Sequence, residues 1–181
     1  MSIITTDQTP KVWIGCLTHY NSGALVGEWI PLDEVADVTL ATIHHPRRPV
    51  RADCEEMWCM DLDGLPVNHE MDPLEAARWG EVYTEAGAEH WDAVCAWVRS
   101  GSYVAEGTGE LPSISDFEER FCGRWDSFKA YAEHLADETD LHQDWPELAT
   151  RYFNWASWVD DMSHDYTVAD APAPEYGVWI F

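Results

Sequence analysis

Hydrophobic and polar positions change their period along this chain, and each change marks an element. Lys11–Thr18 and Ala24–Leu32 are dense in β-forming residues and flank Tyr20-Asn21-Ser22-Gly23, whose Asn and Gly suit a turn, so together they predict a hairpin. Glu55–Asp61 alternates around Met57, Trp58 and Cys59 and predicts a third strand, closed by a turn at Asp63-Gly64-Leu65-Pro66. Between them Asp33 is placed to cap a short helix reaching about Thr42, with His44-His45-Pro46 and Pro49 as its stop.

The period then lengthens. Asp72-Pro73-Leu74-Glu75 puts an N-cap, a first-turn proline and a third-position glutamate in order, which predicts a helix to about Ala86 with Gly87 as its break. Trp91, Val94, Cys95 and Val98 repeat at i, i+3, i+4 and i+7, the stripe of a second helix that ends at Gly101. Gly101–Pro112 reads as a linker, and Ser115 with Glu118 stands at capping-box spacing before a short helix closed by Gly123.

Trp125–Trp145 separates into two faces if it is helical. Ser127 would cap it, and Phe128, Tyr131, Ala132 and Leu135 form the apolar stripe. Glu133, Asp137, Asp140 and Asp144 would then line the opposite edge, about 5–6 Å between neighbours, a spacing at which like charges weaken their own helix. Pro146 opens a long predicted helix with Leu148, Tyr152, Trp155 and Val159 on one face and Asp161 and Asp165 on the other. Tyr166–Val168 and Tyr176–Phe181 predict closing strands around the Ala-Pro-Ala-Pro turn at 171–174. The sum is an α+β chain of three small segments: residues 1–66, an N-terminal β-sheet with a short helix; residues 67–110, central and helical; and residues 111–181, C-terminal α/β.

Composition sharpens this. A hydrophobic share of 46% with 11 Trp excludes a disordered acidic tail, yet the 181 residues carry a net charge of -24. A folded chain with that charge repels nucleic acid and anionic membranes and attracts basic surfaces. Duplex DNA carries roughly one charge per 1.7 Å of axis, so the net charge corresponds to roughly 40 Å of duplex. Five cysteines in odd number and without a Cys-x-x-Cys pair predict reduced thiols in a cytoplasmic protein, and no secretory leader or long apolar run stands out.

Other chemistry fits poorly. Cys54 and Cys59 with His44-His45 upstream only loosely imitate zinc-ligand spacing, so no metal is expected; Asp61-Leu62-Asp63-Gly64 lacks the later ligands of a calcium loop; and Gly107-Thr108-Gly109 lacks the Gly-Lys of a phosphate cradle. Among 34 acidic residues, pairs such as Glu118 and Glu119 are inevitable, and no nucleophile motif accompanies them. No catalytic residue and no cofactor is expected. Trp91 and Trp155, at helical spacing, are expected in cores and not as base-stacking platforms.

The order of motifs resembles the ArdA-type antirestriction family. The matching stretches are Val12-Trp13-Ile14-Gly15 with Tyr20–Trp29, then Glu56-Met57-Trp58 with Asp61–Pro66, Phe117-Glu118-Glu119 with Cys122-Gly123, Tyr131–Glu138, and the final Val178-Trp179-Ile180-Phe181. The resemblance implies an elongated, acidic homodimer that imitates bent duplex DNA and occupies the DNA-binding groove of type I restriction-modification enzymes, formed by their specificity and methyltransferase subunits. It also implies that Tyr131, Glu133, His134, Leu135, Asp137 and Glu138 lie in the family's antirestriction motif. Arg47, Arg48 and Arg51 depart from the acidic pattern. The expected phosphate-mimicking acids are Glu81, Glu85, Glu89, Asp92, Asp116, Glu119, Glu133, Asp137, Asp140 and Asp144, with Asp161 and Asp165 as weaker members. Two alternatives remain: an acidic adaptor for another basic DNA-binding protein, and an acid/base enzyme. Val178–Phe181 is the candidate dimer seam.

Overall fold

The computed structural model describes residues 9–44, 48–103, 105, 111–172 and 176–181. Most of the predicted polar start, His45, Pro46 and Arg47, the linker glycines Gly107 and Gly109, and residues 173–174 of the closing turn lie outside the described residues. The fold is α+β, and the chain forms two compact units, Met1–Cys95 with Ala105–Ile114 and Ala96–Val104 with Ser115–Phe181.

In the first unit the predicted hairpin is present. Strand β1 (Lys11–Cys16) pairs antiparallel with β2 (Gly27–Pro31) on one side and β3 (Met57–Asp63) on the other, with β1 central. Alternation sends Val12 and Ile14 into the core with Ile30 and Cys59. The first strand stops at Cys16, short of the predicted Thr18, because the chain turns into helix α1 (Leu17–Asn21), which swings His19 inward against Cys16.

The helix predicted from Asp33 to Thr42 is two shorter pieces. A 3-10 helix, Leu32–Asp37, is followed by extended Val38, and the Thr39 hydroxyl caps α2 (Leu40–Ile43) by accepting from the Thr42 amide. The threonine cap restarts the helix locally, so the two pieces stay separate.

Helix α3 (Pro73–Ala86) begins as its sequence predicts, the Asp72 carboxylate accepting from the Glu75 amide at 2.8 Å, and ends where Gly87 takes φ +76. It buries Ala76, Trp79 and Val82 and crosses the 3-10 helix closely; a Cβ at Gly80 would strike the Leu32 carbonyl oxygen. Helix α4 (Trp91–Ser100) gives Trp91, Val94 and Cys95 to this unit, with the Trp91 indole donating to the Gly64 carbonyl at 2.8 Å.

The second unit surrounds an aromatic core. Trp97, at 1% exposure, forms a triangle of rings with Phe117 and Phe181, and Phe121 stacks on Phe117. Helix α5 (Ile114–Arg120) starts one residue before Ser115, which therefore sits inside the first turn and does not cap it. After it, Gly123 takes φ +93 and opens a strand that the sequence did not announce, β4 (Gly123–Trp125). Three residues are too few to show a period.

Helix α6 (Phe128–Glu138) is capped by the Ser127 hydroxyl as expected. It does not run on to Trp145. Beyond Glu138, Asp140 takes φ +49, its amide donates to the Asp137 carbonyl, and the Leu141 amide donates to the Ala136 carbonyl, the two bonds of a Schellman termination.

The long helix predicted after Pro146 is likewise broken, into α7 (Glu147–Tyr152) and α8 (Trp155–Ser163). Phe153 is extended and the Asn154 side chain accepts from the Ser157 amide, starting a new helix. Leu148 and Tyr152, predicted on a buried face, are exposed; Trp155 joins Trp145, Phe153 and Trp158 in a half-buried ring cluster. The closing strands are β5 (Val168–Asp170) and β6 (Val178–Ile180), and β6 is the central strand between β4 and β5. Ile180 and Phe181 are buried in this unit's own core, while Val178 and Trp179 are half-buried.

Candidate partner-binding surface

Carboxylates dominate the exterior of both units. In the first, Glu81 and Glu85 stand one turn apart on the outward face of α3, because Val82 and Ala86 take the inward one. Beside them a groove of about 330 Å³ runs between α3 and the 3-10 helix, floored by Leu32, Ala36 and Ala77 and rimmed by Asp33, Glu81 and Glu85. Its apolar floor and acidic rim suit the stem and guanidinium of an arginine. Asp33, placed by its sequence as a helix cap, instead lies exposed in the first turn of the 3-10 helix, whose cap position is Pro31, and shares that helix with the acidic Glu34 and Asp37. Glu89 lies in the turn before α4 and Asp92 in its first turn, both exposed.

In the second unit Asp116 and Glu119 lie on α5; Glu119 is exposed and Asp116 half-buried. Glu133 and Asp137 project from the outer edge of α6, opposite buried Ala132 and Ala136. Asp140 and Asp144 are exposed but do not continue their helical row, since the chain has left the helix by then. Asp161 lies on α8 and Asp165 in the turn after it, both exposed.

Internal cations offset few of these charges. Lys129 reaches Glu133 at 3.5 Å, His134 reaches Glu138 at 3.4 Å and His142 approaches Asp137 at 4.0 Å, each across exposed side chains where such pairs contribute little. Among the described residues no ion pair involves Glu81, Glu85, Glu89, Asp92, Glu119, Asp140, Asp144, Asp161 or Asp165.

The predicted motif divides by side. Tyr131 is buried among the rings of Trp125, Phe128 and Tyr166, and that burial raises the pKa of its hydroxyl; Leu135 is half-buried beside it. Glu133, His134, Asp137 and Glu138 face outward, with the His134 ring 4.8 Å from that of Trp125. Two turns of helix thus hold both a core anchor and an acidic exterior.

Asp140 carries a local cost. A non-glycine residue at positive φ is unfavourable, and a carboxylate just past a helix C-terminus meets the negative end of its dipole. Asp140→Gly is expected to stabilise the protein by about 0.5–1 kcal/mol, read as a higher urea midpoint at unchanged m-value.

The cysteines are free thiols, and they divide differently from the loose Cys54, Cys59 and His44 set considered above. Cys59 sits in β3, wholly buried, with its thiol pushed up to about 12 by burial and then by Asp72 and Glu75. Cys54 instead meets His44 together with Cys16 and His19, a grouping that no local spacing announced.

No described helix is long and apolar enough to cross a membrane. The family model described as antirestriction protein (ArdA) matches residues 12–173, nearly the whole chain. No curated protein matches the chain.

Proposed function

We propose that this chain, which belongs to the ArdA antirestriction family, acts by presenting carboxylates where DNA would present phosphates. The family is one of inhibitors and not of enzymes, and its name implies restriction enzymes as the partner class. The target in this proposal is a type I restriction-modification enzyme in the cytoplasm, bound at the DNA groove of its specificity and methyltransferase subunits by a homodimer of this protein.

One observation carries the reading: a net charge of -24 resides on a folded, aromatic-cored chain whose candidate acids are largely exposed, and among the described residues no ion pair involves Glu81, Glu85, Glu89, Asp92, Glu119, Asp140, Asp144, Asp161 or Asp165. Such acids repel one another in the free protein and gain when a basic groove meets them. A carboxylate accepts the same forked contacts from arginine that a phosphate does. Because the mimicry concerns backbone charge and offers no base edges, inhibition is expected across enzymes of different target sequence.

The test is displacement of a labelled duplex from a type I methyltransferase core, followed by fluorescence anisotropy at two salt concentrations. Displacement near stoichiometry that weakens as salt rises supports the proposal, since screening acts on exposed charges. Failure to displace DNA at low salt by protein shown to be folded overturns this target and leaves the acidic adaptor for another basic protein. Sedimentation equilibrium tests the dimer: a monomer mass at micromolar concentration would contradict it.

A further inference from the structure

The end of the N-terminal sheet gathers four metal-binding side chains from separated parts of the chain. Cys16 closes β1, His19 lies on α1, His44 follows α2 and Cys54 precedes β3. Their ligand atoms all lie within 4.8 Å of one another. The His19 Nδ1 is 3.3 Å from the Cys16 Sγ and 3.5 Å from the Cys54 Sγ. With Zn–S of about 2.3 Å and Zn–N of about 2.0–2.1 Å, a tetrahedral zinc ion holds sulfur and nitrogen about 3.5 Å apart.

A second observation points to an ion and not to a simple nest of thiols and imidazoles. The His44 Nδ1 lies 2.9 Å from the Arg48 carbonyl oxygen, so it carries the proton and donates it there, which leaves Nε2 with its lone pair. That Nε2 is buried and has no hydrogen-bond partner. A backbone carbonyl that fixes the tautomer of one imidazole nitrogen while the other is bare is the arrangement that orients metal-bound histidines. A buried polar atom without a partner in turn calls for a ligand to meet it.

We propose that Cys16, His19, His44 and Cys54 bind one zinc ion in a closed, structural site that pins His44 and Cys54 to the end of the sheet. Two sulfurs and two imidazole nitrogens in tetrahedral reach select zinc over calcium or magnesium, which require oxygen ligands. Four protein ligands leave no position for a substrate or catalytic water, so the site holds structure and performs no reaction.

Binding converts both thiols to thiolates and releases their two protons to solvent; the imidazoles bind neutral, and Zn²⁺ with two thiolates is neutral overall. The surroundings assist. Arg51 is held by Asp53 at 3.1 Å. Thr18 donates to the Asp53 carbonyl at 2.7 Å, tying the same segment to α1. Arg48 and Arg51, which interrupt the acidic sequence, thus have a place beside a cluster that must hold two thiolates.

The test uses the full chain, purified under reducing conditions, stripped of metal and titrated with Co²⁺. The expected result is a spectrum of tetrahedral cobalt with a thiolate-to-cobalt band, saturating at a single ion per chain and bleached by added Zn²⁺. Cys54→Ser and His44→Ala are expected to lose or weaken the band, and Cys122→Ser, which alters a cysteine away from the cluster, to retain it. Chelation is expected to lower the melting temperature of the unaltered protein and to leave that of Cys54→Ser unchanged. Absence of the cobalt–thiolate band in unaltered protein that is folded and has its thiols reduced overturns the proposal, as does a band retained by Cys54→Ser and lost in Cys122→Ser.

Discussion

Neutralising Glu133, Asp137, Asp140 and Asp144 together, with Gln for Glu and Asn for Asp, is expected to weaken inhibition while leaving the fold intact. Exposed charge pairs contribute about 0.2–1 kcal/mol each, so four lost partners amount to about 0.8–4 kcal/mol, roughly 4- to 1,000-fold in affinity for the restriction enzyme. The same change relieves repulsion between Glu133 and Asp137 one turn apart on α6 and puts Asn, which tolerates left-handed backbone better, at position 140. Stability should therefore hold or rise while binding falls, a divergence that loss of folding cannot produce. The measurement is displacement of labelled duplex alongside urea denaturation of the same variant. Single changes should each cost only a few-fold. If Glu133→Gln alone abolished binding and its neighbours did nothing, a distributed phosphate mimic would be the wrong description.

Trp97→Ala should have the largest effect on stability. Its indole is 1% exposed and packs among Tyr103, Phe117 and Phe181, so truncation opens a cavity in the centre of the second unit. Aromatic-to-alanine changes in cores cost about 3–5 kcal/mol, a large part of the about 5–15 kcal/mol that a domain holds. Trp97→Phe should be far milder. The Trp97 Nε1 is buried without a hydrogen-bond partner, and removing an unmet N–H recovers about 1–3 kcal/mol against the smaller cavity that Phe leaves. Urea midpoints for both variants, followed by circular dichroism, check the contrast; equal losses would mean that the indole nitrogen is satisfied in solution.

The helix starts were legible because their signals are local. Asp72 caps α3 and Ser127 caps α6 through bonds spanning three residues, and the stripe from Trp91 to Val98 faces inward as its spacing requires. The three N-terminal strands were visible for the same reason, and the acidic charge is a property of composition alone. Helix ends were less legible. α6 stops at Glu138 through backbone bonds around an aspartate at positive φ, where the usual glycine signal is missing, so a row of four acids on one helix became two on a helix and two beyond it.

What lay beyond the sequence was everything that depends on distant segments meeting. The unannounced β4 exists because β6 lies beside it, and Ile180 and Phe181 at the apolar C-terminus are enclosed by their own unit. The Cys16, His19, His44 and Cys54 cluster is the extreme case. Its spacings match no compact ligand motif, and the nearby Cys59 drew attention to the wrong partner. Antiparallel pairing of β1 with β3, with a register shift between Trp13 and Ile14, brings the Cys16 end of the first strand beside the start of the third, and the turn of α1 and the chain after α2 supply the histidines. Periodicity and charge are carried by neighbours along the chain, so the sequence alone determined them; a ligand set is a matter of angles and distances between remote residues, and only the packed sheet decides those.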